Sequence, residues 1–147
     1  MNARRPGQLP TVAFGTTPQM QSHLAERVAA GVKRATTSVL AAYRAAGEPL
    51  PEPGELATVV DGAGQAVCTI RTTHVEIRRY GDIEADHADA EGEGDRTLQA
   101  WYDAHQPVLA EVCASLGITF GDDLELVLET FHVIDPTTSV TTPRYSR

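Results

Sequence analysis

The stretch that most constrains the fold is residues 95–117, "DRTLQAWYDAHQPVLAEVCASLG". Leu98, Trp101, Tyr102, His105, Val108, Leu109, Val112 and Leu116 recur at spacings of three and four, which puts them on one face of a helix. An apolar face of that length has to be buried against another element. Gly117 supplies the left-handed residue that ends the helix, and Pro107 within it predicts a kink or a split. Aromatic residues on such a face are read as core.

What the helix packs on is legible elsewhere in the chain. "ELATVVDGAGQAVCTIRTTHVEI" holds two β-branched runs around Asp61-Gly62, the pattern of a hairpin with a tight turn. Its second run is about ten residues, long enough to predict a bend or bulge near Thr72-Thr73. "DLELVLETFHVID" reads as a final strand with Leu124, Leu126 and Leu128 on one side. Before the hairpin, "TTPQMQSHLAERVAAG" predicts a helix capped by Thr17, with Met20, Leu24 and Val28 in one stripe and Gly31 as its stop. A short helix is expected from Ser38 to Ala46. The sum is an α+β domain, a small curved sheet or partial barrel with helices at its ends. It is expected over residues 11–135, with a flexible leader at 1–10 and a polar, proline-bounded tail at 136–147.

A chain of 147 residues is long enough for one self-sufficient core, and none of its apolar runs reaches membrane-spanning length. The leader lacks the apolar segment of a secretory signal, and a cytoplasmic location is expected. Cys68 and Cys113 stand far apart in apolar surroundings, so they are read as reduced core residues and not as a zinc site. The net charge of −8 is unevenly spread: residues 1–44 carry six basic side chains and one acidic, whereas 81–95 carry seven acidic and no basic. A basic face is therefore compatible with an acidic total. Arg71, Arg78 and Arg79 are further candidates for phosphate contact.

The chemistry-bearing stretch is "AGVKRATTSV". Lys33 is the only lysine; the other eleven basic residues are arginine, which does not release its proton in proteins. Thr36, Thr37 and Ser38 follow. An amine that accepts a proton turns a neighbouring hydroxyl into a nucleophile. The commoner outcome for so short a pattern is a solvated loop lysine, with Thr36 or Thr37 capping the next helix. In "DHADAEGEGD" the order of carboxylates is wrong for a calcium loop. Most are expected to be solvated, but Glu91 and Glu93, interleaved with Gly92 and Gly94, are candidates for a general acid or base.

Gly31-x-Lys33-x-x-Thr36, with the blocks "AFGTTPQM", "AAYRAAGEPLPEPGE", "VVDGAGQAVCTIRTTHVEI" and "AEGEGDRTLQAWYDAH" in that order, resembles the ASCH domain family of the PUA-like superfold over about residues 12–135. The resemblance implies a small curved β-barrel with flanking helices and a cleft for RNA or a modified nucleoside. Some members of the family are amidohydrolases that deacylate N4-acetylcytidine with the lysine, the threonine and a downstream glutamate; others are ribonucleases or RNA-binding modules. Carried over, Lys33 is the base, Thr36 the nucleophile, and Glu93, with Glu91 as the alternative, the acid. Gly31, Arg34, Thr37 and Ser38 are expected on the substrate side of the turn. Backbone N–H groups of Gly31–Thr36 would meet the oxyanion, and Tyr43 or Trp101 would stack on the base. No cofactor is implied for hydrolysis, and a divalent metal only for a ribonuclease; the chain is expected to be a monomer or homodimer.

Overall fold

The spine of the molecule is one long bent strand. In a computed structural model that describes residues 8–135, the elements in chain order are β1 (Thr11–Val12), α1 (Pro18–Ala29), β2 (Ala35–Val39), α2 (Leu40–Ala46), β3 (Leu56–Val60), β4 (Ala66–Arg79), a 3-10 turn (Tyr80–Asp82), α3 (Ala85–Glu91), α4 (Leu98–Leu116) and β5 (Glu125–Asp135). The expected leader and tail lie mostly outside the described residues. The sheet runs β1-β3-β4-β5-β2, with β1 parallel to β3 and every other pair antiparallel. It curves without closing, so β1 and β2 are its edges. The β4/β5 register shifts between Thr69 and Ile70 and again between Thr72 and His74. The second shift is the bend expected at Thr72-Thr73, and it lets a strand of this length wrap.

Alternation along β5 divides the core. Leu124, Leu126 and Leu128, with Val39, pack against Trp101, Leu109 and Cys113 of α4 and against Tyr80 and Ile83. On the opposite face Phe131 joins Val59, Cys68, Ile70, Phe14 and the α1 residues Leu24, Ala25 and Val28. Phe14 and Phe131 stack at 5.5 Å between ring centroids. Burying a side chain of this size contributes about 1.5–3 kcal/mol, so each face is a substantial anchor.

Four local expectations differ from the structure. Residues 35–39 are strand β2, paired with β5 from Ala35↔Thr130 to Val39↔Leu126, so Ser38 is not helical and α2 starts at Leu40. The acidic segment is largely helical, as α3. α4 runs through Pro107 unbroken, with that residue on the solvent side. The hairpin turn is longer than two residues: Asp61 N–H bonds to the Gln65 carbonyl, and the positive φ falls at Gly64. Gly62 is needed for a different reason, since a Cβ there would lie 2.0 Å from the Pro18 carbonyl oxygen of α1.

Candidate functional site

α1 stops at Ala30, and Gly31 turns the chain at φ +80°. Val32 and Lys33 both donate their N–H to the Arg27 carbonyl, and Arg34 N–H goes to Ala90 at the end of α3. This junction, between a helix end and an edge strand, directs the Lys33 side chain inward. Its side chain is 1% exposed, among the largest of the fully buried side chains of the described residues, and burial of that kind requires paired charge.

The pairing is complete. Nζ lies 2.7 Å from Glu91 Oε1, 2.8 Å from Glu93 Oε2, 2.9 Å from the Ala35 carbonyl and 3.2 Å from the Glu91 carbonyl. Three protons thus serve four acceptors. The ammonium also sits 5.3 Å from the centroid of the Phe14 ring. α3 brings Glu91 here, and Gly92 makes the approach possible. At φ +66° it ends α3, and a Cβ on it would lie 2.5 Å from the Val32 carbonyl oxygen and 2.8 Å from Lys33 Cα. Only glycine lets the two segments close on each other.

Glu91 and Glu93 are not equivalent. Glu91 is buried, with its second oxygen, Oε2, accepting from Thr37 Oγ1 at 2.6 Å and Trp101 Nε1 at 3.3 Å. His87 Nε2 and His105 Nε2 each approach that oxygen to 3.4 Å. Burial alone would push the Glu91 carboxyl up, but hydrogen bonds from His105 and His87 and the charge of Lys33 outweigh it and hold it well below its ordinary value. Since Thr37 has one proton and gives it to Glu91, Thr37 Oγ1 accepts at its 2.7 Å contact with His87 Nε2, whose single N–H is shared between Thr37 and Glu91. Glu91 is therefore a fixed acceptor, charged and fully engaged. Glu93, 28% exposed, touches Lys33 and opens to solvent.

Above this network is a cleft of about 300 Å³. Lys33, Thr36, Thr37, Glu91, Glu93 and His105 form its polar side, and Phe14, Met20, Leu24, Ala104 and Val108 its apolar side. Met20 and Val108 account for their own oddity: each belongs to an apolar helix stripe yet is 45% and 44% exposed, because each stripe runs past the core to the cleft wall. Thr36 has no hydrogen-bond partner among the described residues, so its hydroxyl is free in the cleft. A larger hollow of about 450 Å³, between α2 and residues 118–125, carries its charges only on exposed rim residues such as Arg44 and Asp122.

The structure thus brings together five of the residues singled out in the sequence: Lys33, Thr36, Thr37, Glu91 and Glu93. It leaves the others apart. Tyr43 and Ser38 lie outside the cleft lining, and Gly31 serves the turn. Arg34 pairs with Asp89 at 3.2 Å and lines a separate hollow with Arg78 and His87. Trp101 is buried and stacked on His105 at 4.2 Å, so its indole supports the network and offers no face to a base. The N–H groups of Gly31, Val32, Lys33 and Arg34 are all spent on backbone carbonyls, so these four members of the expected oxyanion hole do not supply it. With Arg27 donating to the Gly92 carbonyl, the expected basic face also loses two of its members to internal contacts. The sequence showed His87 only beside the carboxylates of 86–95, and His105, Met20, Leu24 and Val108 only as helix-stripe residues. Their meeting at this cleft was not legible there, although the i, i+4 spacing of His87 and Glu91 signalled that one contact.

Among the described residues one His/Cys/Asp/Glu group has ligand atoms close enough for a cation, namely Glu91, Glu93 and His105, within 4.8 Å of one another. The chain's own ammonium already bridges both carboxylates there, so the donor set is used by Lys33 and does not fit a metal as well. No helix among those residues is long and apolar enough to cross a membrane.

The sequence matches the model of the ASCH domain over residues 10–135. Two solved structures are similar. The ASCH domain from Lactobacillus crispatus JV V101 is 34% identical, with a TM-score of 0.82 over 86% of this chain and 79% of that one. Protein EF3133 from Enterococcus faecalis V583, described under the family model DUF984, is 35% identical, with a TM-score of 0.80 over 88% of this chain and 78% of its own. A search of curated proteins gives no match.

Proposed function

We propose, for a chain that belongs to the ASCH domain family, that the cleft is hydrolytic and removes the acyl group from an N4-acylated cytidine or a related nucleobase amide. The observation that carries this reading is the free Thr36 hydroxyl in the same cleft as the 2.8 Å contact between Lys33 and Glu93. Attack by Thr36 on the amide carbonyl needs an amine without its third proton. The leaving amine needs an acid. One proton moving from Nζ to Glu93 Oε2 creates both at once, a neutral amine and a neutral carboxylic acid. Lys33 then takes the Thr36 proton as the C–O bond forms, and Glu93 returns its proton to the departing nitrogen as the C–N bond breaks. With the pair again neutralised by proton transfer from Nζ to Glu93, Lys33 takes a proton from water as the water attacks the acyl carbon. The bond to Thr36 Oγ1 breaks as that oxygen regains a proton from Lys33. Glu93 then returns its own proton to Lys33, and the released acid gives up its proton. Glu91 stays ionised throughout and holds Lys33 and Thr37 in place.

The charge of the cleft favours an uncharged amide over an RNA phosphate. One ammonium faces two carboxylates, and phosphate binding rests on a surplus of cations. The same argument makes an RNA-binding or ribonuclease role the second reading. The test is incubation of the protein with N4-acetylcytidine and, separately, unstructured RNA, followed by mass analysis. Cytidine and acetate are expected. Thr36→Val and Glu93→Gln should each lower turnover by at least about 100-fold, the scale of nucleophile and acid–base contributions. Full activity in Thr36→Val would overturn the reading, as would cleavage of RNA with the nucleoside untouched.

A further inference from the structure

His105 lines the cleft beside Glu93, yet nothing in the reaction above uses it. Its ring is fixed on three sides. It lies flat on Trp101 with an interplanar angle of 13°. Nδ1 is 2.9 Å from the Trp101 carbonyl, and a carbonyl oxygen only accepts, so Nδ1 carries a proton. Nε2 points to Glu91 Oε2 at 3.4 Å. Two acceptors face each other there unless Nε2 also carries a proton. Burial disfavours that imidazolium, but the hydrogen bond to Glu91 and its charge outweigh burial, and the net shift is upward from the ordinary 6.5.

The contact to Glu91 is long, and Thr37 and Trp101 already satisfy the oxygen it points to. The Nε2 proton is therefore held loosely, on a side chain 17% exposed to the cleft. At the same time, an amide attacked by Thr36 develops a negative oxygen that needs a donor. The N–H groups of residues 31–34 are committed, and the Lys33 protons already face four acceptors. We propose that His105 is a further catalytic residue, an imidazolium whose Nε2–H, held in place by the fixed ring, is shared between Glu91 and the substrate's carbonyl oxygen and stabilises the oxyanion. No proton is transferred in this role: the hydrogen bond strengthens as charge builds on the oxygen and relaxes when the C–N bond breaks. The inference rests on the amide-hydrolysis reading above. The charged and titratable groups around the ring are Glu91 and His87 from α3, Glu93 beyond it, and Lys33 ahead of β2.

The test compares His105→Phe, which keeps a flat ring on Trp101 without a donor, with His105→Gln, which keeps a neutral N–H donor. On N4-acetylcytidine, kcat should fall about 100-fold in the Phe variant with KM within about threefold, and the Gln variant should recover about tenfold of that loss. Wild-type kcat should decline as pH rises through the His105 titration above 6.5, and the Gln variant should lack that limb. Thermal unfolding of both variants separates a structural effect from a chemical one, with His105→Gln carrying the test should the Phe variant not fold. If either folded variant keeps kcat within threefold of wild type while wild type hydrolyses the amide, the assignment to His105 is overturned and the hydrolase reading stands. If wild type hydrolyses no N4-acyl nucleoside, the hydrolase reading fails, and the role of His105 fails with it.

Discussion

Replacing Glu91 by glutamine changes one atom and should destabilise the whole fold, because no orientation of the amide suits its neighbours. With the amide oxygen toward Lys33, the NH2 group faces the Trp101 indole N–H, a donor with nothing to accept it. With the oxygen toward Trp101 and Thr37, the NH2 group confronts the ammonium at the 2.7 Å site. Removing one member of a buried ion pair costs about 3–5 kcal/mol, and a buried unpaired donor about 1–3. Lys33 retains Glu93, so the lower end applies, about 3 kcal/mol, which for a domain of this size lowers Tm by about 10 °C. Urea unfolding at neutral pH measures the difference directly. The dependence on pH is equally specific. The folded carboxyl of Glu91 lies below the ordinary 4.5, so its stabilisation is fully present above 4.5 and is lost as pH falls through the folded value. The gap between wild type and Glu91→Gln should therefore narrow in acid. A gap under about 1 kcal/mol at neutral pH, or one that does not change on acidification, would refute the account of Glu91 as a charged fixed acceptor. The double change Lys33→Met with Glu91→Leu should restore more than half of what Glu91→Leu loses, since well-packed apolar groups often match a buried pair.

Gly92→Ala should lower stability by at least about 2 kcal/mol in denaturant unfolding, as it adds left-handed strain to a Cβ–carbonyl clash at 2.5 Å. Thr36→Val and Thr37→Val should diverge in a thermal-shift assay: the first leaves Tm nearly unchanged, whereas the second removes the 2.6 Å donor to Glu91 and lowers stability by about 1–3 kcal/mol. Glu129, hydrogen-bonded to Thr72 at 2.6 Å, has its carboxyl pushed up, first by burial and then by the charge of Glu55. A raised carboxyl value means that wild type loses stability as pH rises from the unfolded value through the raised folded one, so Glu129→Gln should unfold at higher temperature than wild type at neutral pH and converge with it in acid. Hydrolysis of an uncharged nucleoside should be nearly insensitive to salt between low and physiological ionic strength; a steep loss would point to phosphate recognition instead.

Whether an element was legible in the sequence depended on whether its own residues determine it. α4 could be read because nineteen residues repeat one period and Gly117 stops it. The bend in β4 could be read because strand length alone demands one. β2 could not, since Thr36, Thr37 and Ser38 suit a cap as well as a strand, and the pairing with β5 that decides between them is distant in sequence. α3 is only seven residues with two buried positions, Ala88 and Glu91, too short for a periodic signal. The glycines at 92 and 94 marked the right segment for an incomplete reason: Gly92 is required by the nearness of Lys33 as well as by its own φ.

The lone lysine shows the same limit from the side of chemistry. An amine able to release a proton was one reason for lysine over arginine, and the structure adds a second that acts even in the resting state. Four acceptors surround Nζ at 2.7–3.2 Å in a site with 1% exposure. A compact ammonium, with three protons directed in three dimensions, fits that cage. A planar guanidinium spreads its donors over a wider fork and would push Glu91 out of reach of Thr37 and Trp101. Lys33→Arg is thus a packing change as well as a chemical one, and its inactivity alone would not identify a base. Thr36→Val lies outside that cage, and Glu93→Gln changes its one solvent-facing member while keeping an oxygen that can accept from Nζ, which is why the hydrolytic reading is tested on them and not on the lysine.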